Sequence, residues 1–251
     1  MHLWAKDFLQ NSAFINSLQP MVDKFNGWES WPDLENLQAA FEFYLGSIKN
    51  GNGVKLRFVD HSLPCASAHI PYEARIFLHG EIPTRSADWH DFFNAIVWMR
   101  YPKSKIIINQ LHYKAMRQRT ILAEPQRGLM ENALTLFDEC GALFVSSEPE
   151  IIQLIAAQEW HKLFWQHRLD LIRSSRCYLF GHAIFQKALN PYPGLCVKII
   201  AQNCTTSFLS KHTDMQIKTL DQMLSQNLEN IVRRGPKMLL PFPILGMPGW
   251  H

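Results

Sequence analysis

Residues 135–145 read Thr135-Leu136-Phe137-Asp138-Glu139-Cys140-Gly141-Ala142-Leu143-Phe144-Val145. The stretch joins two kinds of text. A helix predicted over about Leu129 to Phe137 stops at Cys140-Gly141. Ala142 to Val145 then reads as a short buried strand, too short and too evenly apolar for an amphipathic helix. A helix that hands over directly to a buried strand implies that α and β elements share one core. The charged pair Asp138-Glu139 sits at that junction, the kind of place where polar loops carry function.

Outward from this junction, helices dominate. Ser86 or Asp88 caps a predicted helix through about Arg100, Tyr101-Pro102 breaks it, and a second runs from about Lys103 to Arg119. Glu148-Pro149 starts a long helix to about His167. Cys177 to Phe180 is predicted as a strand, His182 to Leu189 as a helix ending at Asn190-Pro191, Leu195 to Ala201 as a strand, and Asp214 to Val232 as a helix. Toward the N-terminus, Leu34 to Ile48 is helical. The turn Asn50-Gly51-Asn52-Gly53 leads into alternating Val54 to Val59, and Tyr72 to Leu78 alternates likewise, so antiparallel pairing of the two is expected. The fold class is therefore α+β: a helix-dominated single domain, residues 1–251, with a small, partly antiparallel sheet. Residues 1–50 stand as a possible helical N-terminal appendage.

Composition bounds the function. With 47% hydrophobic residues, eight Trp and sixteen Phe, the chain can fill a large core. A net charge of only +3 lacks the basic bias of nucleic-acid binders. Five cysteines (Cys65, Cys140, Cys177, Cys196, Cys204) are odd in number and contain no CxxC, which fits reduced thiols. The opening MHLWAKDFLQNSAF lacks the pattern of a secretory signal, and no run approaches membrane-span length. A cytoplasmic protein without a membrane partner is the default expectation. The tail PKMLLPFPILGMPGWH carries four prolines, which forbid a helix, yet it is too apolar to stay loose. It is expected to dock on its own domain, with Trp250 mostly buried and His251 near an Arg or a polar pocket.

The segments GEIPTRSADWHDFFNAIVW (80–98), TLFDECGALFV (135–145), FGHAIFQKALNPYPGL (180–195) and PFPILGMPGWH (241–251) resemble the signature of one bacterial family, the domain of unknown function numbered 3025. The likeness covers roughly residues 70–251. It transfers no catalytic residues. One departure stands out: Glu131-Asn132 replaces the Arg-Asp pair expected ahead of the TLFDE string, so any role of that pair is in doubt here.

No GxGxxG, GxxxxGK(S/T), GxSxG, HExxH or paired CxxC is present. The best candidate site starts at Trp89-His90-Asp91-Phe92-Phe93-Asn94, where His90 and Asn94 share a helical face. His90 and His112 lie at matched distances from Pro102. An antiparallel hairpin would bring them level, where two imidazoles could move protons or bind a metal completed by Asp91 or Asp138. The spacing is not that of a compact ligand set, so no metal is assigned, and cofactors stay open. Arg85, ahead of the helix, would favour an anion, unless it pairs with a carboxylate such as Asp88 or Asp138. Adjacent residues face different ways, so one of Asp138 and Glu139 is expected in the site, and Asp138 is preferred. His182, between a strand and a helix, is a further ligand-binding candidate, against the plainer reading of a packed or capping histidine. Cys140 follows two carboxylates and is not proposed as a nucleophile. Trp160, Leu163, Phe164 and His167 read as a core stripe rather than a base-stacking platform.

The candidate catalytic residues are thus His90, Asp91, Asn94, His112 and Asp138, with Arg85 and His182 binding substrate. The first reading is a hydrolase or group-transfer enzyme acting on an anionic small molecule. The other is a non-catalytic binding or adaptor protein that uses an aromatic surface. Convergence of these residues on one concave pocket favours the first; scatter or mutual satisfaction favours the second. No feature read here fixes the oligomeric state.

Overall fold

The structure, a computed structural model, describes residues 3–8, 14–61 and 69–250. Cys65 and His251 lie outside the described residues. Sixteen elements follow in order: α1 Leu34–Leu45, β1 Arg57–Asp60, α2 Tyr72–His79, β2 Glu81–Thr84, α3 Trp89–Arg100, α4 Pro102–Ile121, α5 Leu129–Cys140, β3 Gly141–Ser146, α6 Pro149–Ala156, α7 Arg168–Ser174, β4 Ser175–Leu179, α8 His182–Ala188, β5 Cys196–Asn203, α9 Thr206–Leu209, α10 Thr213–Val232 and β6 Leu240–Pro243. Short 3-10 turns and one π-helical turn, Lys162–Gln166, join them. The class is α+β and helix-dominated. No helix among the described residues is long and apolar enough to cross a membrane.

The main sheet has the order β4-β3-β5-β6. β3 pairs antiparallel with β4 and parallel with β5, and β6 closes the edge antiparallel to β5. Every residue of β3 is buried, as its apolar text requires of a central strand. Helix α5 runs straight into it, with Gly141 at the joint. A side chain there would strike the Phe137 carbonyl at 2.2 Å and its ring at 2.6 Å, so only glycine allows the turn.

Two expectations fail. Tyr72 to Leu78 is helix α2, not a strand, and β1 pairs parallel with β2 instead. Pro71 precedes the segment, Glu73 sits in its first turn, and Gly80 caps it in the left-handed conformation (φ 68°), donating its N–H to the Arg75 and Ile76 carbonyls. These terminal signals outweigh seven residues of alternation. Buried Asn50 reinforces the end by donating to the Ile76 and Phe77 carbonyls at 2.6 and 2.8 Å. The long helix from Pro149 also fails, stopping at Ala156, with Gln158 at φ 56°. Ile151 and Ile155 are buried, but continuing the helix would turn Gln158, Glu159 and Lys162 to the core. The break lets Leu163 be buried instead, while Trp160 and Phe164 pack on Phe242. Three residues of the expected stripe thus pack on the core although the helix that would align them is broken, while His167 is half-buried beside Asp170.

Helix α3 is buried almost all round. Its N-terminal half is backed by aromatic rings from the start of the chain: Trp4 stacks on Trp89 at 4.9 Å, Trp31 meets Trp89 at 4.6 Å, and Phe8 and Phe25 meet Phe92 edge-on. At its far end the Tyr101 hydroxyl donates to the Leu179 carbonyl at 3.0 Å, tying the α3–α4 break to the end of β4. Asp221 of α10 caps α4 across space, accepting from the Lys103 and Ser104 backbone N–H groups at 3.1 and 2.8 Å.

The tail docks as expected. Leu239, Phe242, Ile244 and Met247 are buried, and Trp250 is half-buried, edge-on to Phe14 at 4.9 Å. Phe242 packs among Phe144, Trp160 and Phe164 with no exposed surface. Phe242→Ala is expected to lower unfolding free energy by about 3–5 kcal/mol, read as an earlier midpoint in urea denaturation with an unchanged slope.

Candidate functional site

One cavity of about 460 Å³ is lined by all seven residues singled out from sequence: Arg85, His90, Asp91, Asn94, His112, Asp138 and His182. They arrive from different elements. Arg85 lies between β2 and α3, His90, Asp91 and Asn94 on α3, His112 on α4, Asp138 at the end of α5, and His182 at the start of α8. The cavity also takes in Tyr72, Arg119, Arg127 and Glu131, which no sequence signal marks as site residues, and Glu139, the member of the Asp138-Glu139 pair that was not preferred.

The pairings correct several expectations. Arg85 is committed to Asp91 in a two-pronged ion pair, Nε to Oδ2 at 2.9 Å and Nη2 to Oδ1 at 2.8 Å, while its backbone N–H also donates to Asp91. Asp88, the helix cap, lies 3.6 Å from the same guanidinium. Burial pushes the Asp91 carboxyl up, but Arg85 outweighs it and holds the carboxyl below its ordinary range. Arg85 and Asp91 therefore shape the cavity wall together, and neither is left as an isolated charge.

A second network is built on Lys105, an α4 residue that sequence reading passed over. Its buried ammonium donates to both Asp138 oxygens at 2.6 and 2.8 Å and to Asn94 Oδ1 at 3.0 Å, over the face of Trp98. Asn94 in turn donates to the Tyr72 hydroxyl at 2.9 Å. Tyr72 is more than a third exposed, yet that hydroxyl points inward, and its burial there raises its pKa well above the usual value. Burial likewise opposes the Asp138 charge, but the Lys105 ammonium outweighs it, and the carboxyl stays below its usual range.

His90 finds its partner in His182, not in His112. Helix α3 packs mainly on α8, so the two rings meet edge-on with Nε2 to Nε2 at 3.0 Å. His112 lines the same cavity. Glu139 Oε1 stands 3.6 Å from His182 Nε2 and 3.9 Å from His90 Nε2. Asp138 and Glu139 thus both reach the cavity, contrary to the choice of Asp138 alone. Consecutive helical residues diverge by about 100°, and the cavity wraps round the end of α5 far enough to take in both. Burial raises the Glu139 carboxyl, with His90 pulling the other way.

His182 is almost wholly buried, and burial pulls its pKa down to about 3 against the opposing pull of Asp138, so the ring is neutral. Its Nδ1 makes no well-formed hydrogen bond, with the nearest Asp138 oxygen at 3.8 Å and the Asp138 backbone close by. What brings it there is Gly181. A Cβ on Gly181 would lie 2.4 Å from the Glu139 carbonyl oxygen and 2.5 Å from the Cys140 nitrogen, so only a glycine lets α8 start against the end of α5.

Elsewhere on the wall, Glu131 accepts from Arg119 Nε at 3.2 Å and from the Gly128 N–H at 3.1 Å. Glu131 is therefore a buried helix-start carboxylate with a cationic partner. Arg127 donates to the Thr135 hydroxyl at 3.4 Å and pairs with no carboxylate among the described residues. Burial raises the Cys140 thiol, in keeping with an inert cysteine.

Residues 56–251 match a family model described as Protein of unknown function (DUF3025). No curated protein and no solved structure matches the chain.

The Lys105–Asp138 pair generates a stability test. Removing one member of a buried pair strands the other charge, at about 3–5 kcal/mol, whereas removing both costs far less. Lys105→Met is expected to destabilise by that amount, and Lys105→Met/Asp138→Asn to recover most of it, in thermal or urea unfolding.

Proposed function

The chain belongs to the DUF3025 family, and we propose that its polar cavity is an active site for hydrolysis or group transfer on a small anionic molecule. The observation that carries this reading is convergence: histidines from three helices and two adjacent carboxylates from a fourth meet in one cavity of about 460 Å³, within the range of small-molecule sites. The pairs Arg85–Asp91 and Lys105–Asp138 act as positioning groups. They hold the wall rigid and leave the cluster of His90, His182 and Glu139 to face the substrate. Arg127, an exposed cavity guanidinium that pairs with no carboxylate among the described residues, supplies the anion-binding charge in place of Arg85. His112, which also lines the cavity, serves as a further proton carrier.

A specific observation favours the alternative of a non-catalytic binding protein. Trp165, Leu169 and Ile172 are 76%, 62% and 44% exposed along the π turn and α7, a row of apolar side chains that suits a protein partner. It lies on residues that do not line the cavity, so the two readings separate by mutation.

The test is an incubation of purified protein with a metabolite extract, followed by mass spectrometry over time. Wild-type protein is expected to consume at least one anionic metabolite. His90→Ala and Glu139→Gln are each expected to slow that loss by about 100-fold or more, while Trp165→Ala leaves it unchanged. An extract in which nothing responds to wild type, or in which the His90 and Glu139 variants match it, overturns the enzymatic reading.

A further inference from the structure

We propose that His90, His182 and Glu139 form a binding site for one divalent transition-metal ion, zinc being the best fit. The inference rests on the cavity being the functional site, and it names the ion that such a site would use.

The geometry is the first argument. The three potential donors, His90 Nε2, His182 Nε2 and Glu139 Oε1, lie 3.0, 3.6 and 3.9 Å from one another. Zinc holds imidazole nitrogen at about 2.0–2.1 Å and carboxylate oxygen at about 2.0–2.2 Å, which in a tetrahedron puts neighbouring donors about 3.3 Å apart. The three separations bracket that value. An ion between them needs shifts of tenths of an ångström in two side chains that are partly exposed. Two imidazoles and one carboxylate are a donor set for zinc and its neighbours, not for calcium or magnesium, which take oxygen.

Hydrogen bonding supplies a second, independent argument. Two ring nitrogens that face each other at 3.0 Å need one donor and one acceptor. His182 then has one nitrogen left over, and that Nδ1 is buried without a well-formed partner. A metal on both Nε2 atoms uses both lone pairs at once. It also fixes His182 as the Nδ1–H tautomer, directed at the Asp138 carboxylate now 3.8 Å away. A carboxylate behind a ligating histidine is the usual support of such a site. Lys105 holds that carboxylate in turn.

Charge balance agrees. Asp91, Asp138 and Glu131 each have a Lys or Arg partner within hydrogen-bond distance. Two cavity carboxylates have no Lys or Arg within ion-pair distance among the described residues: Glu73, which accepts from the Asn109 amide, and Glu139, which stands beside the two imidazoles where a cation would meet all three groups. Three protein ligands leave a coordination position open toward the cavity, as in catalytic zinc sites and unlike closed structural ones. The substrate class that follows is an ester, amide or phosphate whose oxygen can take that position.

The experiment uses untagged full-length protein, stripped by chelator dialysis and titrated with zinc chloride against a chromophoric competitor, then with cobalt chloride while visible absorption is followed. One equivalent of zinc is expected to bind, and cobalt to give the intense bands of a low-coordinate site. His90→Gln and Glu139→Gln, both at partly exposed positions, are expected to weaken binding by more than about 100-fold, and Asp138→Asn by about 10–100-fold. The exposed His161→Ala is expected to leave it unchanged. Binding of less than one equivalent by folded wild type, or affinity that is the same in the His90 and Glu139 variants, overturns the proposal. Metabolite turnover that persists at full rate in chelator would overturn the metal site and leave the enzymatic reading standing. Zinc bound with these variant effects, but without turnover, would do the reverse.

Discussion

The close approach of two backbones at Gly181 sets everything else in the site. The Phe180 and Gly181 N–H groups both donate to the Gly141 carbonyl, at 3.0 and 2.8 Å, where β4 ends beside the start of β3. Helix α5 enters that joint and α8 leaves it. Any side chain at Gly181 would drive into the Glu139–Cys140 peptide. With glycine there, the first residue of α8 and the last acidic residues of α5 lie side by side, so His182 comes within 4 Å of both Asp138 and Glu139. Helix α3, wedged between α8 and the N-terminal aromatic rings, then carries His90 to His182. Three helices thus meet at one point because one joint in a small sheet is too tight for a Cβ.

Burying this much charge is costly unless each group is paired. The chain meets that condition with short, multiply bonded pairs, Arg85–Asp91 and Lys105–Asp138, in place of the exposed single contacts that contribute little. Lys105 is the extreme case: an ammonium with 3% of its side chain exposed, satisfied by Asp138, Asn94 and the Trp98 ring. Such a pair stabilises the fold mainly by being intact, since an isolated charge at that depth would be far more expensive. Its gain is positional. Asp138 is fixed behind His182, and Asn94 is fixed between Lys105 and Tyr72.

Much of this was legible in the sequence, and the limits have physical causes. Periodicity, caps and breaks located the helices from Trp89 to Cys140, the buried strand Gly141–Ser146 and the docked tail, because those signals are local. The alternation of Tyr72 to Leu78 points to a strand where the chain is helical, since seven residues alternate by chance more readily than a flanking Pro71 and Gly80 occur by chance. The β1–β2 pairing is parallel, and no local rule reports it. The seven candidate residues share the cavity because ionisable residues in an apolar chain gather where elements end. Their partners were not legible. His90 was matched to His112 by counting along two helices, whereas α3 packs on α8 and delivers it to His182. Glu139 was set aside by a rule of alternate facing that fails at a helix end. Lys105 was invisible, because a buried lysine has no sequence signature apart from the carboxylate that accepts it.

What remains is whether the meeting point of α3, α5 and α8 holds an ion or only a pair of imidazoles. Anomalous diffraction at the zinc edge, from crystals of the full chain grown with zinc chloride, decides this most directly. One strong peak is expected about 2.0–2.2 Å from His90 Nε2, His182 Nε2 and a Glu139 carboxylate oxygen. A cavity without a peak, the two rings still joined by a hydrogen bond, would contradict the metal site.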